Sequence, residues 1–275
     1  MSMNLRRMIE ADELKRLYLD ERLTIEEIAE HFNCGASTIS RRLDELDIPK
    51  RPPGPDLNRE EFSCEWSADL AYVVGLIATD GNLSKDKRHM TLVSIDYDLL
   101  DTVRTCLNID NKITINKNGY GSSYRLQWGN RLFYDWLLGI GLTPAKSLTL
   151  GALDVPDEYF ADFVRGCIDG DGSINVYTDD YNAFKNEKYV YTRLDVSLTS
   201  ASLPFLEWIQ STVERLISID GGLFHKKVRP GRAPMHVLKY PKGDALQMLK
   251  WMYYAPDVPC LARKRERAEQ FLKMD

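Results

Sequence analysis

Two short passages of this chain carry residue types that could do chemistry. Val73-Val74-Gly75-Leu76-Ile77-Ala78-Thr79-Asp80-Gly81 returns as Val164-Arg165-Gly166-Cys167-Ile168-Asp169-Gly170-Asp171-Gly172. In both, an apolar stretch holds a glycine and closes five residues later on an Asp-Gly pair. The aspartates lie 91 positions apart, a repeat unit the size of a small domain. Gly75 and Thr79 are four apart, as are Gly166 and Gly170, so each pair shares one helix face and lets two helix backbones pack close. Val73, Val74, Leu76, Ile77, Val164, Cys167 and Ile168 are expected to face the cores of their own halves. Asp80 and Asp171 close the helices, with Gly81 and Gly172 expected to take the left-handed conformation that ends a helix. A helix C-terminus is a poor place for a carboxylate, because the macrodipole opposes an anion there by about 0.3–1 kcal/mol. Two such carboxylates brought together make sense when divalent cations lie between them. Oxygen ligands suit Mg2+, with substrate phosphates completing the shell. A two-metal site of that kind activates water and stabilises the leaving oxygen of a phosphodiester.

The elements that must position these carboxylates also repeat. After each motif helix come strand-like residues, Asn82–Ser84 and Ser173–Thr178. A strand and a helix follow, at 91–96 with 99–107 and at 194–199 with 203–217. A strand pair is next, at 113–115 with 124–128 and at 223–228 with 235–240. An amphipathic helix closes each passage, at 132–138 and 245–253. The predicted unit is α-β-β-α-β-β-α, used twice. The fold class is therefore α+β, two pseudo-symmetric halves with antiparallel sheets plus a small all-α N-terminal domain.

That first domain has its own signals. Leu14, Leu17 and Tyr18 follow helical spacing, and Thr24 with Glu27 makes a capping box for a second helix holding Ile25, Ile28, Ala29 and Phe32. Asn33-Cys34-Gly35 makes a turn, and a third helix follows with Ile39, Leu43 and Leu46 inward. This arrangement resembles a helix-turn-helix, whose third helix would present Ser37, Thr38, Ser40, Arg41 and Arg42 to a major groove. Residues 49–55 hold four of the twelve prolines and read as a linker, in which Lys50 and Arg51 could follow a phosphate strand. The expected domains are 1–50 helix-turn-helix, 51–61 linker, 62–152 first half and 153–275 second half.

Bulk properties exclude several classes. At 275 residues, 44% hydrophobic and 28% charged, the chain is an ordinary globular sequence. Its longest apolar runs are too short to span a bilayer, and its charged N-terminus lacks a signal-like block, so a cytoplasmic protein without membrane attachment is expected. Five scattered cysteines without a C-x-x-C support neither a disulfide framework nor a zinc site. The four histidines show no ligand spacing, and His225 and His236 are expected to face a sheet or solvent. Net charge is −5, yet residues 221–275 hold 12 Lys and Arg against 5 Asp and Glu, while the remainder hold 24 against 36. A local basic field of that kind suits phosphates.

The paired motifs resemble those of LAGLIDADG homing endonucleases in the double-motif, single-chain form, a resemblance that covers about residues 62–270. It implies two halves meeting along the motif helices, saddle-shaped sheets over a DNA major groove, and a pseudo-twofold monomer. It implies that Asp80 and Asp171 bind metal, with the backbone carbonyls of Thr79 and Gly170 as further ligands. Ala78 departs from the motif name where the second copy keeps Asp169, a position that is not the ligand. The resemblance also points to Lys146 and Lys264 as basic groups near the scissile phosphates, with Arg263 and Arg265 as competitors of Lys264. Two or more Mg2+ ions are implied as cofactor, with Mn2+ or Ca2+ able to substitute for binding.

Sheet periodicity makes Thr114, Asn116, Arg125 and Gln127 candidate contacts to double-stranded DNA in the first half, and Lys85 there and Lys226, Arg229, Arg232 and Lys239 in the second half are further basic candidates. The resemblance implies metal-dependent, site-specific hydrolysis of both strands, leaving 3′ overhangs, without a covalent intermediate. The chain starts with Met and lacks a terminal His-Asn, so an intron-encoded or freestanding origin is expected rather than an intein. The resemblance leaves two alternatives on the same fold, a catalytically silent DNA-binding transcription regulator and an RNA intron maturase; retention of both aspartates favours the enzyme.

Overall fold

The computed structural model describes residues 9–21, 23–50, 64–118, 121–180, 190–226, 231 and 233–272; the side chains of residues 116–118 fall outside the description. The expected linker with Arg51, and the candidates Arg229 and Arg232, lie outside the described residues, as does the side chain of Asn116. The chain divides into two compact units, Met1–Arg59 and Glu60–Asp275.

The first unit contains α1 (Ala11–Lys15), which continues as a wider π-helical turn through Asp20, then α2 (Ile25–His31) and α3 (Ala36–Glu45). Leu14, Leu17, Tyr18, Ile28, Ala29, Ile39 and Leu43 bury together as its core. The Thr24 hydroxyl accepts from the Glu27 backbone N–H at 3.1 Å, and Glu27 Oε2 accepts from the Thr24 N–H at 2.7 Å. This reciprocal box satisfies donors that a helix start otherwise leaves bare. Asn33 takes the left-handed conformation (φ 49°) that its short polar side chain tolerates, and it reverses the chain between α2 and α3. Thr24→Ala should cost the first unit about 1 kcal/mol, read as an earlier midpoint for that unit in thermal unfolding followed by circular dichroism.

The second unit runs α4 (Ala68–Thr79), β1 (Asn82–Leu83), β2 (His89–Ser94), α5 (Tyr97–Cys106), β3 (Ile113–Asn118), β4 (Gly121–Gly129) and α6 (Arg131–Gly139). It then repeats as α7 (Phe160–Asp171), β5 (Gly172–Asp179), β6 (Tyr191–Ser200), α8 (Leu203–Ile217), β7 (Gly222–His225), β8 (His236–Pro241) and α9 (Lys242–Met252). One further helix, α10 (Ala262–Leu272), follows the second copy. Each half holds a four-stranded antiparallel sheet, in the orders β1-β2-β4-β3 and β5-β6-β8-β7. The α-β-β-α-β-β-α unit expected from periodicity is thus present twice, in a mixed α+β architecture.

Alternation decides which face of each sheet meets the helices. Met90, Leu92, Leu126 and Trp128 are buried in the first sheet, as are Ile174, Val196, Leu198, Leu238 and Tyr240 in the second. Their strand neighbours lie on the opposite, open faces. There Thr114, Arg125 and Gln127 are exposed. The second hairpin is longer: β5 and β6 span eight and ten residues where β1 and β2 span two and six.

α4 and α7 pack against each other along a glycine seam. A Cβ on Gly75 would fall on the Phe163 carbonyl oxygen and lie 3.0 Å from the Gly166 Cα. One on Gly166 would fall on the Tyr72 carbonyl oxygen. Only glycine permits this backbone-to-backbone approach. Cys167 departs from expectation. Its Sγ lies 3.6 Å from the Gly75 carbonyl oxygen, so it belongs to the seam as well as to its own half.

Candidate active site

The seam delivers Asp80 and Asp171 to one place. Asp80 caps α4 and Asp171 is the last residue of α7. A Cβ on Gly170 would fall on Thr79 Oγ1 and lie 3.0 Å from Asp80 Oδ2, so the two helix ends touch beside the carboxylates. Solvent reaches both side chains, yet protein rings them. Partial desolvation and the charge of Asp171 push the Asp80 carboxyl up to about 6. Desolvation also raises Asp171. The Lys264 and Lys146 ammonium groups pull both back down, which places all four side chains in one electrostatic cluster.

The expected left-handed helix ends are absent: neither Gly81 nor Gly172 has a positive φ, and Gly172 is extended at φ −94°, ψ 174°. Glycine is required there for another reason. The chain folds back over the helix it has just left, so a Cβ would lie 2.6 Å from the Ile77 Cα at Gly81 and 2.5 Å from the Ile168 Cα at Gly172.

Both lysines are buried and hold helix ends. Lys146 Nζ donates to the Gly81 carbonyl. Ala145 before it is left-handed (φ 56°, ψ 31°), a conformation that costs a non-glycine residue about 1–2 kcal/mol and aims the lysine inward. Burial lowers Lys146 to about 8, against the opposing pull of Asp80 and Asp171. Lys264 Nζ donates to the carbonyls of Ile168 (2.6 Å), Asp169 (2.8 Å), Gly170 (3.2 Å) and Gly172 (2.8 Å). Its ammonium thus answers the negative end of α7, the electrostatic problem posed by the motif. The Gly170 carbonyl, expected to face a metal, is engaged by this lysine. Of the basic run, Lys264 is the one that turns in among the motif carbonyls; Arg265 packs instead over the Tyr253 ring and toward the Ala255 carbonyl. Arg263 pairs with Asp96 at 2.8 Å, and Arg265 lies 3.9 Å from Glu269.

Sequence reasoning missed the groups that lock the motif helices. Asp169 is buried, and its Oδ2 accepts from Tyr72 Oη across the seam (2.9 Å) and from the Leu261 N–H (2.7 Å). Arg165 is fully buried. It donates to the carbonyls of Pro259 (2.7 Å) and Met252 (2.6 Å) and to Asp162 Oδ1 (2.5 Å), tying α7 to the end of α9 and the segment before α10. Backbone carbonyls as partners leave no mark in a sequence. The Ala78/Asp169 difference between the motifs was the one visible hint.

The candidate DNA contacts scatter more widely. Lys85, in the β1–β2 turn, and Lys226 are exposed. Arg125 donates to Gln127 Oε1 at 2.6 Å on the open face of the first sheet. Lys239 pairs with the buried carboxylate of Asp195 at 3.0 Å, which also accepts from Asn175 Nδ2 at 2.9 Å. In the first unit Ser37 and Arg41 are exposed and Ser40 half-buried, while Arg42 pairs with Glu45 (3.1 Å) and Lys50 with Asp44 (2.6 Å). His225 and His236, eleven positions apart in sequence, face each other across β7 and β8 with Nδ1 atoms 2.7 Å apart.

Two repeated α/β halves, seamed by glycines and closing on a carboxylate from each, define a double-motif architecture with its candidate site at the seam. Residues 67–137 match the family model of the LAGLIDADG-like domain, so the chain carries a LAGLIDADG-like domain, whose element order the second half repeats. No curated protein sequence matches the chain. Among solved structures, full-length DUF199/WhiA from Thermatoga maritima is similar at 12% identity and TM-score 0.46, over 76% of this chain and 62% of that one. This chain therefore spans less than two thirds of that protein. I-DmoI in complex with DNA and Ca is similar at 16% identity and TM-score 0.46, over 74% and 96%. The LAGLIDADG meganuclease I-AabMI bound to uncleaved DNA is similar at 14% identity and TM-score 0.49, over 73% and 88%. Among the described residues no helix is long and apolar enough to cross a membrane.

Proposed function

We propose that this chain is a site-specific, metal-dependent endonuclease of double-stranded DNA that hydrolyses both strands and leaves 3′ overhangs. The observation that carries the reading is the meeting of Asp80 and Asp171 at adjoining helix ends, flanked by Lys146 and Lys264. Two solvent-reached carboxylates whose affinity for protons is raised form an all-oxygen donor set. That chemistry fits Mg2+, which keeps several waters and takes its remaining ligands from phosphate. Asp80 and Asp171 would hold the ions, with the Thr79 carbonyl beside them. Bound there, Mg2+ supplies Lewis acidity and a nucleophilic water. Lys146 lies in the same cluster and offers a cation to charge developing on a scissile phosphate. The open sheet faces carry the groove contacts, and the first unit adds a helix-turn-helix reader through Ser37, Ser40 and Arg41.

One observation favours a second reading, a DNA-binding regulator on the same fold. Lys264 has four carbonyl partners for three N–H donors, which leaves none for a phosphate. The test is incubation of the full chain with a randomised DNA library, with Mg2+ and with chelator. Mg2+-dependent double-strand breaks at one enriched sequence are expected. Specific binding without cutting under any divalent ion overturns the enzyme and leaves the regulator. Removing residues 1–50 is expected to weaken binding at least about tenfold, because a tethered second reader multiplies affinity. The cleavage rate at saturating protein should hold. Unchanged affinity refutes a role for that unit in DNA recognition.

A further inference from the structure

The strand registers align the two sheets residue by residue. Asn82 pairs with Thr91 and Thr91 with Gln127, just as Ser173 pairs with Ser197 and Ser197 with Lys239. Asn82 and Ser173 each stand two residues beyond their motif aspartate. Two positions further along the open face, Arg125 therefore corresponds to Val237. Their cross-strand partners, Thr114 and Phe224, correspond as well. Ser123 corresponds to Met235 by the same count.

The same place on the two halves thus has opposite chemistry. In the first half it is polar. Thr114 Oγ1 donates to the Arg125 carbonyl (3.3 Å), and Gln127 Oε1 holds the Arg125 guanidinium at 2.6 Å. In the second half it is apolar: Phe224 is 56% exposed and Met235 37% exposed, with Val237 half-buried between them. The Phe224 ring lies back over Gly222, where an added Cβ would sit 2.9 Å from its Cε2. This patch has Lys239 beside it on β8, and the exposed Lys226 pairs by its backbone with Met235 at the other side. An occupant must bring negative charge at the rim and a small apolar projection at the centre. A DNA major groove presents both, as phosphates and as the thymine C5-methyl. At the matching place on the other half, a guanidinium fork suits guanine O6 and N7.

We infer that the two halves read different base chemistry at equivalent positions, Arg125 selecting guanine in one arm of the target and the Phe224–Val237–Met235 patch selecting a thymine methyl in the other. The inference rests on the DNA reading proposed above and gives that target a specific asymmetry. The full chain is first used to enrich binding sites from random duplex DNA in Ca2+. Each enriched thymine is then replaced by deoxyuridine, which removes only the methyl. One thymine, in a single arm, should weaken binding about fourfold, the worth of one buried methyl. Phe224→Ser should abolish that sensitivity, whereas Phe224→Leu, still apolar, should keep it. Arg125→Ala should lose the preference for guanine at one position of the opposite arm. Failure to enrich any site overturns the DNA reading and this inference with it. An enriched site with no deoxyuridine effect, or with an effect that survives in Phe224→Ser, overturns this inference alone.

Discussion

Gly166→Ala is expected to lower the thermal midpoint by roughly 4–12 °C, the size expected for a loss of about 2–3 kcal/mol in a unit this large. The added methyl has no free space: it falls on the Tyr72 carbonyl oxygen and lies 3.1 Å from the Gly75 Cα. That is well inside the ~3.3 Å of the closest ordinary C–H···O contacts between helices. Both obstacles are backbone, so no side chain can rotate out of the way and the helices must part. Alanine returns about 1 kcal/mol in helix propensity, which the figure already includes. Gly243→Ala in α9 is the control, since nothing lies within 4 Å of its added Cβ. It should hold or raise the midpoint. The same parting separates Asp80 from Asp171, so metal-dependent activity should fall further than stability does. A midpoint for Gly166→Ala equal to that of the native chain would refute the seam as the joint between the halves.

What the sequence showed and what it hid divide along a physical line. The motif glycines, the alternating strands and the Thr24–Glu27 box were legible because each is a local spacing rule acting on side-chain type. The seam was legible because small residues four apart have few other uses when two copies occur in register. The choice of Lys264 over Arg263 and Arg265 was not, since all three are basic. A short ammonium that fits among four carbonyls was preferred over guanidinium groups, and that preference exists only in the fold. The roles of Arg165 and Asp169 were hidden for the same reason, the Ala78/Asp169 difference aside: apart from Asp162, three residues before Arg165, their partners stand 87 to 97 residues away, and three of these are backbone groups. The His225–His236 pair escaped because ligand-spacing rules count along a helix, whereas these residues meet across a hairpin. The helix ends misled. Gly after Asp at a helix terminus reads as a left-handed cap, but here glycine serves a chain that doubles back over Ile77 and Ile168.

Asp80→Asn is expected to abolish Mg2+-dependent cleavage, by on the order of 10³-fold or more, while making the metal-free protein more stable at neutral pH. The two effects share one cause. The folded chain raises the Asp80 carboxyl from 3.8 to about 6, chiefly by desolvation and then by the charge of Asp171. Between pH 4 and 6 the folded state therefore holds a proton that the unfolded chain has released. The ionised group opposes folding most above pH 6, and the opposition fades as pH falls toward 4. Removing the charge should raise the midpoint at pH 7.5 by roughly 1–4 °C, a modest gain because water reaches the site and screens it. The native and variant midpoints should converge near pH 4. Mg2+ should reverse the order at pH 7.5, since an ion bound only by the folded native chain stabilises it by mass action. That Mg2+ effect should decline as pH drops through about 6, where the Asp80 carboxylate takes up its proton. Asp171→Asn should follow the same pattern, because desolvation raises that carboxyl too. A native chain whose midpoint ignores Mg2+ at every pH would remove the metal from this site and the nuclease reading with it. Mg2+ stabilisation that is lost in both variants, without cleavage, would leave a site that binds the ion and has no reaction to perform.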